Sequence, residues 1–230
     1  MRDTVSATGF VLSAQPQGES DKRLVLLTRE LGKITVFARG ARRQGSAYLA
    51  ACNPFVYATF LMYEGRSAYT LAGVQDAVYF TEIAACDPGV YYGYYFLETA
   101  GWYGQENLEA GDMVNLLYAS LRAILKDVIP LKLIRRVYEC RLLTVNGEFA
   151  LPEGLSEDDP VRYALEYTMK AGYSSLFAFA LKEEAFARYE KIVSSEMRRR
   201  AGVNFRALAI LESIDANSGI LYNLRDEKDG

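Results

Sequence analysis

The 230-residue chain contains no histidine. That absence removes the commonest general acid/base, the Ser-His-Asp and Cys-His nucleophile pairs, and the usual zinc and iron ligand sets. Carboxylate dyads and lysine nucleophiles stay open, but no paired Asp/Glu motif stands apart from ordinary surface charge. Cysteine is scarce too: Cys52, Cys86 and Cys140 are odd in number and far apart, so neither a disulfide framework nor a paired-cysteine metal site can be written down. They read as three small buried hydrophobes in a reducing compartment, and no metal or cofactor is expected. No apolar run approaches the length that crosses a bilayer, and the amino terminus lacks a cationic stretch followed by a hydrophobic one. The expectation is a cytoplasmic protein without membrane contact.

Half of the residues are apolar, ample for a packed core in one large domain or two modest ones. The net charge of −3 hides an asymmetry, because residues 1–80 hold nine Lys/Arg against six Asp/Glu while residues 81–230 hold seventeen against twenty-three. Local field rather than net charge governs an encounter with a polyanion, so the basic first third is where nucleic acid is expected.

That third also has the period of strands. In Lys33-Ile34-Thr35-Val36-Phe37-Ala38-Arg39 the even positions are apolar and the odd ones mostly polar, which marks a half-buried strand with a basic, aromatic-bearing outer face. Val5 to Ala14, Arg23 to Thr28, Phe55 to Tyr63 and Ala68 to Val78 read likewise, separated by Gly, Pro, Asn and Asp clusters. Five short strands, with an Ala-rich insertion over Ser46 to Ala51, fit a partly open five-stranded Greek-key barrel of the OB type, with an SH3-like barrel as the alternative.

After Phe80 the period lengthens to about three and a half, as amphipathic helices require. Asp87-Pro88 reads as a helix start, and the aromatic run from Val90 through Tyr103 as a central helix buried by its neighbours. Amphipathic stripes predict helices over Asp112 to Lys126 and Pro130 to Val145, the latter ending at Asn146-Gly147. Further helices are expected over Val161 to Ala171, Lys182 to Ala201 and Phe205 to Ala216, with a polar tail from Asn223. The fold class is therefore α+β: a barrel over 1–80 and a helical domain over 81–230. With no low-complexity linker between them, the two halves are expected to pack together.

Gly40-Ala41-Arg42-Arg43, preceded by Arg39, forms a cationic loop bounded by glycines at a strand end. Glycines let backbone approach a phosphate closely, and guanidinium groups bind phosphate in a bidentate manner. Lys33, Arg39, Arg42 and Arg43 fall within one hairpin's reach, with Phe37 placed to stack a base or to cover the barrel edge. Arg198-Arg199-Arg200 invites a second DNA-contact reading, although a basic cluster in the last turn of a helix is also what the helix dipole favours.

These residues carry a resemblance. Gly18-Glu19-Ser20-Asp21-Lys22, Leu27 to Lys33, Ala38 to Arg43, Asn53-Pro54-Phe55, and Tyr63 to Arg66 before Tyr69-Thr70-Leu71 resemble, in order and spacing, the amino-terminal domain of the recombination mediator RecO family. More thinly, Arg136 to Leu143 is similar to that family's Arg-x-Phe-Glu-Leu-x-Leu-Leu helix. The resemblance implies an OB barrel joined to a helical domain that binds single- and double-stranded DNA and anneals complementary strands in bacterial, nucleoid-associated repair. It implies RecR and the carboxy-terminal tail of the single-stranded-DNA-binding protein as partners in loading recombinase, and no covalent chemistry. Many family members carry a four-cysteine zinc module after the glycine that here is Gly147, but Glu148 to Leu155 contains no cysteine, so the helical domain is expected to lack it. Arg135 and Arg136 are the positions that the resemblance offers to the tail's carboxylates. Two other classes compete: a protein-only adaptor, and an enzyme using Glu98 as acid/base among the Tyr91 to Tyr103 aromatics.

Overall fold

A computed structural model of the chain describes residues 4–202 and 205–213. Five strands, β1 (Thr4–Gln17), β2 (Asp21–Thr28), β3 (Gly32–Ala38), β4 (Val56–Glu64) and β5 (Tyr69–Tyr79), close into a barrel in the order β1-β2-β3-β5-β4. β1 pairs with β4 antiparallel and β3 with β5 parallel, the connectivity of an OB barrel rather than an SH3-like one, and the barrel is closed rather than partly open. The alternation read in β3 holds residue by residue: Ile34, Val36 and Ala38 are buried, and Lys33, Thr35 and Phe37 lie on the outer face. Inward-facing Leu24 and Leu26 sit opposite Val36 and Ile34, and with Val11, Phe60 and Met62 they fill the barrel. Each such side chain contributes about 1.5–3 kcal/mol by leaving water.

A 3-10 turn (Thr81–Ala85) leads into α1 (Gly89–Tyr103), α2 (Gly111–Lys126), α3 (Leu131–Val145), α4 (Pro160–Lys170), α5 (Glu183–Ala201) and a last helix, α6, over 206–213. The expected helices are all present to within a few residues, and α6 is described as far as residue 213; the polar tail lies outside the described residues. Asp87 does not cap α1, because the 3-10 turn takes up the preceding segment and Pro88 stands in the cap position. Asp159, one residue before Pro160, does cap α4 by accepting from the Val161 amide at 2.9 Å. The aromatic helix α1 is the core element it was expected to be along one side: Tyr95 and Phe96 are fully buried, Phe96 stacks on Tyr138 with ring centroids 4.1 Å apart, and Tyr94 and Trp102 remain exposed.

A second apolar cluster lies among the helices, and it takes in Phe10, Leu12, Leu27 and Phe55, which point outward from the barrel. The irregularity between Val11 and Ser13 in β1 marks a bulge, the kind of local kink that re-aims neighbouring side chains. The seam is tight at Gly32, whose φ is +66°: a Cβ there would lie 2.1 Å from the Gln105 carbonyl oxygen, so only glycine fits where the β2–β3 turn meets the α1–α2 connection. Next to it the Lys33 amide donates to that same carbonyl at 2.9 Å. Barrel and helices are thus packed against each other.

Candidate nucleic-acid interface

The loop after β3 is built by the β1–β2 turn. Asp21 accepts from the Gly40 amide at 2.8 Å, the Arg42 amide donates to the Ser20 carbonyl at 2.8 Å, and the Arg42 guanidinium reaches the Gly18 carbonyl at 3.2 Å. Gly40 has a φ of +66°, the left-handed turn that lets the chain double back, and the Arg43 amide closes that turn on the Gly40 carbonyl at 3.0 Å. Ala41 is buried beneath it, whereas Arg39, Arg42 and Arg43 are exposed. None of these three is ion-paired among the described residues. From below, Lys22 holds the returning chain through the Cys52 carbonyl at 2.9 Å and Asn53 Oδ1 at 2.7 Å. The result is a fixed backbone presenting three unneutralised guanidinium groups, an arrangement chemically suited to a phosphate chain.

Phe37 lies on the outer face, half-buried, opposite Arg23 on β2 and Thr70 on β5. Lys33 does not join the cationic group. It stands at the other end of β3, and its Nζ donates to the Gly101 carbonyl at 2.9 Å, at the carboxy-terminal end of α1, where the helix dipole favours a cation. Its period-2 position on the outer face was right, but that face is covered by α1 at this point. Arg23 is an exposed cation that sequence reasoning passed over. Its signal was there, since pairing β2 with β3 back from the Glu30–Gly32 turn sets it directly across from Phe37.

Arg135 and Arg136 depart from the expected projecting pair. Arg135 Nε donates to Glu139 Oε1 at 2.9 Å, and Arg136 donates to Glu139 Oε2 at 2.7 Å and to Glu190 Oε1 at 2.9–3.0 Å. Glu139 is fully buried and also accepts from the Tyr95 hydroxyl at 2.7 Å. Burial by itself would push the Glu139 carboxyl up, but Arg136, Arg135 and the Tyr95 hydrogen bond outweigh it and hold the group below its ordinary value. The two guanidinium groups are therefore consumed as counter-ions of a buried carboxylate. Together with Arg198 and the acidic Glu190 and Glu212 they line a cleft of about 230 Å³ between α3, α5 and α6 whose charges balance.

Arg198, Arg199 and Arg200 occupy the exposed last turn of α5, Arg199 paired with Glu196, ahead of a left-handed Gly202 cap. Glu98 is no free acid/base: its carboxylate accepts from the Arg206 and Ala207 amides at 3.0 Å each and caps α6 from a distance of more than a hundred residues. The three cysteines are unpaired, and among the described residues no group of three His, Cys, Asp or Glu is placed to hold a metal ion. No helix among them is long and apolar enough to cross a membrane.

A closed OB-type barrel with a cationic, glycine-turned loop, packed on a helical bundle, is the class of protein that this fold and site define. Residues 1–80 match the family described as "Recombination protein O N terminal". The chain is 34% identical over 143 residues to the DNA repair protein RecO of Alkaliphilus metalliredigens, a similarity covering 62% of this chain and 58% of that protein. It is 23% identical to the DNA repair protein RecO of Acetivibrio thermocellus, over 92% of this chain and 97% of that protein, and 27% identical to that of Exiguobacterium sibiricum, over 90% and 96%. The resemblance to the RecO family read in the sequence is borne out.

Proposed function

We propose that the protein works in DNA repair and recombination as a mediator that binds DNA through its barrel, a unit over 1–80, and binds partners through its helical unit, 81–230. The observation that carries this reading is the anchored Gly40 loop with Arg39, Arg42 and Arg43 exposed and without an ion pair among the described residues. Phe37 and Arg23 extend it along the outer face of β2 and β3, where a base can stack beside a bound phosphate. Single- and double-stranded DNA both present the phosphates that this loop recognises. In this reading the protein anneals complementary strands by holding them with their charge neutralised, and it helps to load recombinase onto DNA coated with single-stranded-DNA-binding protein, together with RecR.

The tail of the single-stranded-DNA-binding protein is proposed to dock on the helical unit. Arg135 and Arg136 serve there as the neutralised floor of the cleft beside Arg198, not as free cations. The reading assigns binding and annealing rather than turnover, and the commitment of Glu98 to capping α6 supports that choice over the enzyme reading.

The test is a titration of the full chain with fluorescent single strands and duplex at several salt concentrations, followed by the annealing rate of complementary oligonucleotides. A nucleic-acid binder shows log K falling linearly with log salt and an annealing rate above the protein-free rate. A protein-only adaptor shows neither.

A further inference from the structure

A cleft of about 730 Å³ opens on the side of the molecule where β4 and the β2–β3 turn meet α2 and the 173–178 segment. Arg29, Arg122 and Lys126 line it and no acidic side chain does, whereas the cleft beside Arg136 balances its cations with glutamates. Arg122 and Lys126 are one helical turn apart on α2, both exposed, and neither is ion-paired among the described residues. Arg29 is held in place by its hydrogen bond to Asn115, so one cation is fixed and two are free to reach. Between them stand half-buried rings: Tyr57 from the barrel, Tyr118 from α2, and Tyr173 and Phe177 from the segment after α4. Tyr57 meets Tyr118 edge-on at 5.3 Å, and Tyr173 is fixed by donating its hydroxyl to Asp112 at 2.9 Å.

We propose that this cleft is a second contact for single-stranded nucleic acid, with phosphates on Arg122 and Lys126 and unpaired bases against the rings. The proposal rests on the reading of the barrel as a DNA-binding unit. Three observations favour a nucleic-acid strand as occupant. The cleft carries net positive charge with no acid in its wall, which matches a polyanion. Its rings, of which Tyr173 already carries the Arg141 guanidinium over one face at 5.0 Å, supply aromatic surface that takes bases irrespective of sequence. One wall, Arg29 and Tyr57, belongs to the barrel, with Arg29 at the end of β2 away from the Gly40 loop, so a strand held at both sites runs the length of β2. A duplex cannot use the rings, because its bases are already stacked and paired. The cleft therefore discriminates single from double strands, which the phosphate-reading Gly40 loop does not.

The experiment compares the full chain with Arg122→Ala/Lys126→Ala and, separately, with Phe177→Ser, which leaves every cation in place. Binding of a fluorescent oligonucleotide long enough to span barrel and cleft is measured against salt, beside duplex of equal length and a short acidic peptide ending in phenylalanine. The double variant is expected to flatten the single-strand salt slope by about 0.7 for each phosphate no longer neutralised and to leave duplex binding within about twofold. Phe177→Ser is expected to weaken the single strand about fivefold or more with its salt slope unchanged, as removal of a stacking ring does. A strand carrying 5-iodouracil is expected to crosslink to Tyr57, Tyr118, Tyr173 or Phe177. Single-strand binding unchanged in both variants overturns the cleft while wild-type DNA binding still stands. Loss of the acidic peptide with DNA binding intact overturns it in favour of a protein ligand. Failure of the wild-type chain to bind any DNA overturns the barrel reading instead.

Discussion

Arg136 and Glu139 meet at 2.7 Å inside the helical unit, one turn apart on α3, with Glu190 of α5 completing the contact on the other side of the guanidinium. The pair is almost wholly out of water, the Glu139 side chain being 0% exposed and that of Arg136 11%. Removing Arg136 leaves Glu139 with Arg135 and the Tyr95 hydroxyl but strips its Oε2 of a charged donor and Glu190 of its cation. Arg136→Ala is expected to destabilise the chain by about 1–3 kcal/mol, measured by urea unfolding. A loss within the few tenths typical of surface positions would mean that the pair is open to solvent.

The same pair sets a pH dependence. Since the folded Glu139 carboxyl lies below its ordinary value of 4.5, ionised Glu139 stabilises the fold above that value, and the contribution disappears as pH falls through the depressed folded value. Unfolding titrations between pH 7 and 3 are expected to show stability falling with acidification. Glu139→Gln should be less stable at pH 7 and flatter in its pH response. A variant as steep as the wild type would place the titrating group elsewhere.

Glu98 joins α1 to α6 through two backbone amides, so Glu98→Ala leaves two donors at the start of α6 without their acceptor. The expected result is fraying of 206–213 at a cost of about 0.5–2 kcal/mol, read as faster amide exchange there with barrel protection unchanged. Exchange rising in the barrel as well would show that α6 supports more than itself.

Thiol reactivity separates the cysteines. Burial pushes the Cys52 thiol up to about 11 against the opposing pull of Lys22, and pushes Cys140 up to about 12. Both are buried, while Cys86 is half-buried. At pH 8 a maleimide is expected to label Cys86 first, with Cys52 and Cys140 reacting only as the chain unfolds, as peptide mapping would reveal. Elemental analysis of the same purified sample is expected to give well under one equivalent of zinc, since no histidine and no paired-cysteine motif is available to bind it.

The barrel was legible because its period is local: Ile34, Val36 and Ala38 announce their face within seven residues, and the glycines flanking Arg42 and Arg43 announce a turn. Strand count alone left an SH3-like barrel open beside the expected OB type, because closure depends on β1 meeting β4 and β3 meeting β5 across long stretches of chain; the resemblance favoured the OB type, and the pairing bears it out. Among the candidate site residues, the loop arginines came out exposed where the sequence put them, since a turn tip faces water in almost any packing. Lys33 and Arg136 came out otherwise for one reason: the partners that occupy them, Gly101 and Glu190, lie 68 and 54 residues away. Glu139, the buried centre of that network, had only its (i, i+3) and (i, i+4) spacing to the two arginines as a signal, which surface helices show equally often.

The claim that the Gly40 loop grips phosphate is met most directly by the salt dependence of DNA binding in Arg39→Ala/Arg42→Ala/Arg43→Ala. These side chains are exposed and make no ion pair among the described residues, and the one hydrogen bond lost, from Arg42 to the Gly18 carbonyl, lies at the surface, so the triple variant should fold and melt close to the wild type. Its log K against log salt should flatten by about 0.7 per phosphate released on single strands and about 0.9 on duplex, with affinity at low salt reduced for both. A well-folded triple variant that keeps the wild-type slope on both kinds of DNA would place the phosphate contacts elsewhere on the protein.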